Sequence, residues 1–244
     1  MKITFTADPG NPKAVRALKM FTKRYGQTDL DKAEVVVVLG GDGTMLRVLQ
    51  ALLNYQTPVF GLNLGHAGKL LNQFSLKDLP DRVEQAEETS LIPLQIKAHT
   101  ADGETHTQYA FNDFSFTRMS PQASRLAVSI ASGENERPFI RQNVFGDGVI
   151  VATPVGTSGY YRSAKGVPVD ATQNLIAVTS VCAHSDFNAV VSPESVVRVD
   201  VLEEKKRPVC VDRDGQDRIT QVTSATISQA TRKVQTLLKE KDRF

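Results

Sequence analysis

Four consecutive valines inside AEVVVVLG, residues 33–40, run straight into GGDGT at 40–44. A run without polar alternation reads as a strand buried on both faces, and such strands belong to parallel sheets covered by helices. Behind the glycines, Met45, Leu46, Val48, Leu49, Leu52 and Leu53 recur at the helical period. Few folds accept this succession. A buried strand, a glycine turn and an amphipathic helix imply βαβ units around a parallel sheet.

The flanks repeat the pattern. KITFTA (2–7) reads as a first strand, and Asn11-Pro12 offers an N-cap with proline at the first helical position. Val15, Leu18, Phe21 or Thr22, and Tyr25 follow at helical spacing, with Gly26 as the stop. TPVFGLNLG (57–65) is a further strand leading into a second glycine-rich turn. Near Pro93 the texture changes. LQIKAHT, YAFNDFSF, RLAVSIAS, VIVAT, NLIAVTSV, SVVRVDVL and RPVCVD are short runs of strand character, with turn signals at Asp102-Gly103, Gly133-Glu134 and Asp214-Gly215. That is the pattern of an antiparallel all-β unit. The tail, about 229–241, returns to helical spacing with Val234, Leu237 and Leu238 as its buried side. The expectation is an α/β domain over 1–91 that carries the GGDG loop and a β-rich domain over 92–225. A helix over 226–244 closes the chain.

A chain of 244 residues is long enough for two such cores. A formal charge of +2 suits local anion sites but lacks the concentrated basic stripe that nucleic acid requires. No apolar run is long enough for a membrane span, and MKITFTADPG is too short and polar for a signal peptide. Cys182 and Cys210 lie in apolar stretches and form no CxxC pair, which suits a reduced, cytoplasmic setting.

The GGDGT turn is neither a P-loop, since no Lys-Ser/Thr pair follows, nor a dinucleotide fingerprint, since Leu46 takes the sixth position counted from Gly41. One reading is a tight turn in which Gly40, Gly41 and Gly43 supply positive φ and Asp42 caps the helix. The other is chemical. Phosphoryl transfer needs backbone donors for phosphate, a divalent metal and a group to accept the proton of the attacking hydroxyl, and Asp42 supplies a carboxylate for it.

Two further constellations carry polar chemistry. Asn112-Asp113 interrupts an aromatic strand, YAFNDFSF (109–116), where alternation places the two on opposite faces. Either Asp113 faces water on an edge strand, or the pair grips vicinal hydroxyls. In GDGVIVATPVGTSGYY (146–161) a strand over 149–153 ends at Thr153-Pro154, and Gly156, Thr157, Ser158 and Gly159 form a polar turn before Tyr160. That turn either bonds its own backbone or forms a second anion and ring site, with Asp147 ahead of the strand. There is no Gly-x-Ser-x-Gly elbow, and His66, His99, His106 and His184 show no metal spacing. His99 and His106 flank a hairpin, while His66 lies in the second glycine loop, NLGHAGK (63–69).

Taken together and in order, GGDGT after a valine strand, GLNLGHAGKL (61–70), the Asn-Asp pair, DGVIVATPVGTSGY (147–160) and VDRDGQ (211–216) resemble the NAD kinases over nearly the whole chain. GGDGT alone is shared with lipid kinases. The resemblance implies an α/β plus β fold: an N-terminal phosphofructokinase-like α/β domain with a parallel sheet, then a β-sandwich-like domain, with the C-terminal helix 226–244 packing back on the first. It implies transfer of the ATP γ-phosphoryl group, with Mg²⁺, to the 2′-hydroxyl of the adenosine ribose of NAD. Carried across, Asp42 is the catalytic acid/base, and Gly40, Gly41, Gly43, Thr44 and Asn63 meet the ATP phosphates. Asp42, Gly43, His66 and Lys69 face NAD. Asn112 and Asp113 hold the nicotinamide-side ribose, and Asp147, Thr153, Val155, Ser158, Gly159 and Tyr160 line the NAD pocket. Mg²⁺ is held mainly through the ATP phosphates, with no separate protein ligand set. The substrates are small molecules, and a homodimer or homotetramer is implied.

Three positions depart from the family pattern. Gly68-Lys69-Leu70 stands where Gly-Phe-Leu is usual, so a cation replaces an aromatic wall. Asp113 stands for the usual Glu and is shorter by roughly 1.5 Å of reach. Ser158-Gly159-Tyr160 stands for Thr-Ala-Tyr. Lys69 in particular can pair with a 2′-phosphate, favouring NADP over NAD. The alternatives are a lipid kinase of the diacylglycerol type and a non-catalytic NAD(P)-binding protein.

Overall fold

The computed structural model describes residues 1–66 and 68–238. It divides into two compact units, one formed by residues 1–92 with the stretch from Arg232, the other by residues 93–231.

The first unit runs β1 (Ile3–Ala7), α1 (Pro12–Tyr25), β2 (Val35–Gly40), α2 (Asp42–Ala51), β3 (Val59–Asn63), β4 (Asn72–Gln73), α3 (Leu79–Glu84) and β5 (Glu87–Leu91). β1, β2 and β3 are parallel neighbours, with Val37 opposite both Phe5 and Phe60. Every residue of β2 is buried, as the valine run requires of a central strand. Asn11 caps α1, its side chain accepting from Lys13 N and Ala14 N, and Gly26 closes the helix at φ 80°. The buried flank of α1 is Ala14, Ala17 and Phe21, one position earlier than the expected Val15 stripe. The two alanines allow close approach to the sheet, and Phe21 stacks on Phe5 at 5.6 Å. α1 covers the face of Ile3, Phe5, Val35, Val37 and Leu39. α2 lies over the opposite face, where Thr44, Val48 and Leu52 border a cavity with Thr4, Thr6 and Val36.

The tail corrects the sequence reading. Residues 222–229 are a strand of the second unit, and Val234–Leu238 is a strand rather than a helix. It pairs parallel with β3 and antiparallel with β5. Residues 239–244, the rest of the expected helix, lie outside the described residues. The spacing of Val234, Leu237 and Leu238 fits a helix, but β3 and β5 leave one open lane whose backbone groups only a strand can satisfy. The buried Asn72 amide secures it, donating to Leu237 O at 2.9 Å and Gly61 O at 3.1 Å.

The second unit contains β6 (Leu94–Thr100), β7 (Thr105–Ala110), β8 (Asp113–Arg118), β9 (Ser124–Ala131), β10 (Ile140–Gly146), β11 (Gly148–Ala152), a 3₁₀ turn (Val155–Ser158), α4 (Tyr160–Ser163), β12 (Ile176–Val181), β13 (Asn188–Val191), β14 (Val196–Leu202), β15 (Val209–Arg213), β16 (Asp217–Ile219) and β17 (Val222–Gln229). They form two six-stranded antiparallel sheets, ordered β10-β9-β14-β17-β6-β7 and β13-β12-β11-β8-β15-β16. Alternate residues of both sheets share one core, among them Leu126, Val128, Ile130 and Val199 from the first and Phe114, Phe116, Val149 and Val151 from the second. Ile150 and Ala152 face the other way, where Tyr161 covers them. This double burial explains the unbroken VIVA run.

YAFNDFSF is not one strand. β7 ends at Ala110 and β8 begins at Asp113, in different sheets, so Phe111-Asn112 is the crossing between them. Asp113 is buried rather than in water. Cys210 is buried as expected, but Cys182 is exposed and has φ 44°.

Candidate active site

In the first unit, Gly40 ends β2, Gly41 precedes α2 in an extended conformation, and Asp42, Gly43 and Thr44 form the helix's first turn. None of the three glycines has positive φ, so the turn uses them for closeness rather than handedness. A Cβ on Gly65 would lie 3.2 Å from the Gly41 Cα, so the two glycine loops touch backbone to backbone. No side chain caps α2. Its first turn presents the positive end of the helix dipole, which suits a phosphate.

Asp42 does not cap α2 either. Its carboxylate accepts from Lys69 N at 3.0 and 3.2 Å and from Leu70 N at 3.1 Å, clasping the second loop to the first. Two N–H groups leave lone pairs of the carboxylate available to a hydroxyl proton or a metal. The second loop is held elsewhere too: Leu64 N donates to Gly40 O, Gly65 N to the Asn63 side chain, and the Asn11 amide to Leu64 O. Asn63 ends β3 against Gly68, and the Thr44 hydroxyl accepts from Arg47 at 3.2 Å. The structure thus brings Gly40, Gly41, Asp42, Gly43, Thr44, Asn63 and Lys69 together. His66 is exposed, and the Lys69 side chain is exposed with no ion pair among the described residues.

In the second unit an acid the sequence reading did not assign organises the site. Asp214, at the β15–β16 turn with φ 51°, accepts from Phe111 N (3.1 Å), Asn112 N (2.7 Å) and Asp113 N (3.2 Å). Its own N–H donates to Asp113 O. One carboxylate thereby satisfies the backbone where the chain changes sheets. The sequence showed Asp214-Gly215 only as a turn signal, and nothing in it tied that turn to a segment about a hundred residues earlier.

Thr153, just beyond β11, completes the frame: its N–H donates to Asn112 O, its hydroxyl to Phe111 O at 2.7 Å, and Gly156 N donates to that hydroxyl. A Cβ on Gly156 would lie 2.0 Å from Asn112 O, so only glycine fits. Ser158 Oγ donates to Val155 O, the self-bonded turn of the plainer reading. Asp113, at 7 % exposure, makes no side-chain hydrogen bond among the described residues. Burial first, then the Asp214 and Asp212 charges, push its carboxyl up to about 7. Burial also raises the half-exposed Tyr160 hydroxyl, followed by the fields of Cys182, Asp147, Asp113 and Asp212, which places Tyr160 near these groups. Asp147 is not free: Arg118 Nε donates to it at 2.6 Å, a partner the sequence reading missed. Among the described residues no group of three or more His, Cys, Asp or Glu forms a metal cluster.

The chain was compared with known proteins. The ATP-NAD kinase N-terminal domain matches residues 3–88, and the ATP-NAD kinase C-terminal domain matches residues 117–237. An NAD kinase of Brucella suis is 34 % identical over 236 residues, covering 96 % of this chain and 90 % of the relative. An NAD kinase of Xanthomonas oryzae pv. oryzae is 35 % identical over 242 residues, covering 97 % and 91 %. Two solved structures share the fold. The yeast NADH kinase complexed with NADH has a TM-score of 0.82 at 20 % identity, covering 98 % of this chain and 83 % of that one. An NAD kinase from Archaeoglobus fulgidus in complex with ATP has a TM-score of 0.77 at 23 % identity, covering 99 % and 95 %. With both family domains matched in order and relatives above 30 % identity along almost its full length, the chain belongs to the ATP-NAD kinase family.

Proposed function

We propose that the chain transfers the γ-phosphoryl group of ATP to the 2′-hydroxyl of the adenosine ribose of NAD, with Asp42 taking the hydroxyl proton. The 2′-oxygen attacks the γ-phosphorus, the bond from that phosphorus to the β–γ bridging oxygen breaks, and ADP and NADP leave. The proton passes to Asp42 and then to solvent. The observation that carries this reading is the Asp42 carboxylate, fixed by two backbone N–H groups at the uncapped start of α2. A loop that only bound phosphate would be weakened by a carboxylate there. Family membership supports the substrates, and the lipid-kinase and non-catalytic alternatives receive no support.

The remaining roles extend the same reading. Gly40, Gly41, Gly43, Thr44 and Asn63 meet the ATP phosphates; His66 and Lys69 face NAD. Asn112 and Asp113 hold the nicotinamide-side ribose, and Asp147, Thr153, Val155, Ser158, Gly159 and Tyr160 line the NAD pocket. The donor set suits Mg²⁺, which is content with one or two carboxylates plus substrate phosphates. The ATP phosphates would be its main ligands, and it would neutralise charge on the transferred group. The free thiols of Cys182 and Cys210 suit a cytoplasmic setting, and no described helix is long and apolar enough to cross a membrane. A homodimer or homotetramer is part of the reading; the exposed Phe139 and Phe145 on one flank of the second unit support it.

The direct test identifies the product. Purified protein with ATP, Mg²⁺ and NAD should yield a dinucleotide phosphorylated at the 2′-position and oxidised only by NADP-specific dehydrogenases. Phosphorylation of diacylglycerol instead would defeat the reading.

A further inference from the structure

β8 begins at Asp113 and ends at Arg118. At that far end the Arg118 guanidinium is fixed twice: Nε donates to the Asp147 carboxylate and Nη1 to Ser120 O, each at 2.6 Å. The backbone repeats the link, since Arg118 N donates to Asp147 O at 3.0 Å. The fold gains little from the side-chain pair. Arg118 and Asp147 remain 34 % and 41 % exposed, and ion pairs this open to water add little to stability. What the pair does change is charge, because it cancels the Asp147 carboxylate. The half-exposed Tyr160 shows where that matters: after burial and Cys182, its hydroxyl is raised by Asp147 and then Asp113, so the ring stands within reach of both acids.

With Asp113 on the nicotinamide-side ribose, the dinucleotide leaves that ribose in two directions, toward the diphosphate and toward the ring. A carboxylate repels the diphosphate, and Tyr160 offers a flat face to a ring. Asp147 and Tyr160 therefore belong to the nicotinamide end. There the oxidised and reduced dinucleotides differ by one positive charge on the ring. A bare carboxylate would favour the oxidised form, whereas one held by a guanidinium keeps only a dipole. We propose that Arg118 is a specificity-determining residue: by neutralising Asp147 it narrows the preference for NAD over NADH, so that both oxidation states are accepted. This rests on the reading of Asp113 and Asp147 as parts of the NAD pocket.

The test is the ratio of kcat/KM for NAD to kcat/KM for NADH in the full-length protein with ATP and Mg²⁺. Calorimetry supplies the dissociation constants of both dinucleotides. Arg118→Gln keeps a donor for Asp147 but removes the cation, so the ratio should rise about five- to tenfold. The rise should come through KM rather than kcat, because the reacting 2′-hydroxyl lies at the other end of the dinucleotide. Asp147→Asn keeps an acceptor for Arg118 but leaves the cation uncancelled, so the ratio should fall by a similar factor. Arg118→Lys retains the charge and should stay within about twofold of the wild type. A pair that served only the fold would move both variants in the same direction or leave the ratio unchanged, and either result would overturn the proposal. The Asp147→Asn arm decides alone if Arg118→Gln does not fold. Dissociation constants that move in these opposite directions while neither dinucleotide is phosphorylated would sink the kinase reading and leave the role of Arg118 standing.

Discussion

At the scale of single residues, two carboxylates are held in opposite ways. Asp42 is tied by backbone N–H groups, whereas Asp113 is buried with no side-chain partner among the described residues, near Asp214, Asp212 and Tyr160. Asp214 is occupied by three backbone N–H groups and Asp212 by Arg218, so the extra proton of this cluster belongs on Asp113. The sign follows from its raised value. Between the ordinary carboxylate range and about 7 the folded protein holds a proton on Asp113 that the unfolded chain has lost, so the contribution of Asp113 to stability is fullest at low pH and is lost as pH rises through about 7. Asp113→Asn should remove a few kcal/mol of that slope, read by urea unfolding between pH 4 and 8. Binding runs the other way: on the proposed reading Asp113 accepts ribose hydroxyls as a carboxylate, which forms only above about 7, so the KM for NAD should fall with rising pH and lose that dependence in Asp113→Asn. Lys69 offers a third check. Its cation, without an ion pair among the described residues, should favour the 2′-phosphate of the product, so inhibition by NADP should weaken several-fold in Lys69→Phe, measured as Ki against NAD. An unchanged Ki would remove Lys69 from NADP recognition.

At the scale of elements, local signals were legible and pairings between distant segments were not. The valine run, the Asn11-Pro12 cap, Gly26 and the hairpins at Asp102-Gly103 and Asp214-Gly215 announced themselves, because each is settled by neighbours in sequence. The strand Val234–Leu238 did not, since its conformation is decided by the lane between β3 and β5. Nor did the break at Phe111-Asn112, because aromatic residues continue on both sides while the chain changes sheets. The candidate residues were legible as motifs, but their fixings, Lys69 and Leu70 on Asp42 and Asp214 on Asn112, span tens to about a hundred residues. Two glycines separate packing from chemistry. Gly156→Ala drives a methyl into Asn112 O and should cost about 1–3 kcal/mol or more in denaturant unfolding. A Cβ on Gly43 meets nothing within 4 Å, so Gly43→Ala should leave stability equal or up to about 1 kcal/mol higher, as alanine is in a helix. On the proposed reading the same methyl stands where phosphate approaches, so activity should fall while stability does not.

At the scale of the whole molecule, the two units differ in how the chain builds them. The second is contiguous over 93–231 and closes its core within itself. The first needs its last strand brought back from beyond residue 231, since among the described residues β5 pairs with no other strand. A fragment of residues 93–231 should keep its β circular dichroism and a cooperative transition, whereas residues 1–92 alone should not fold cooperatively, because the open lane leaves backbone groups unpaired. That division was partly legible: the change of texture at Pro93 was visible and the family resemblance implied the return of the tail, but apolar spacing gave the tail as a helix where the structure has a strand. The central claim concerns one carboxylate. In Asp42→Asn the amide oxygen can still accept from Lys69 and Leu70, so the loops stay joined while the proton acceptor is lost. The most direct measurement is the rate of NADP formation from NAD, ATP and Mg²⁺ in wild-type and Asp42→Asn protein, with NAD affinity measured in both. The account predicts turnover in the wild type and a fall of about 10²–10⁴-fold in the variant with affinity retained; equal rates in the two proteins would contradict it.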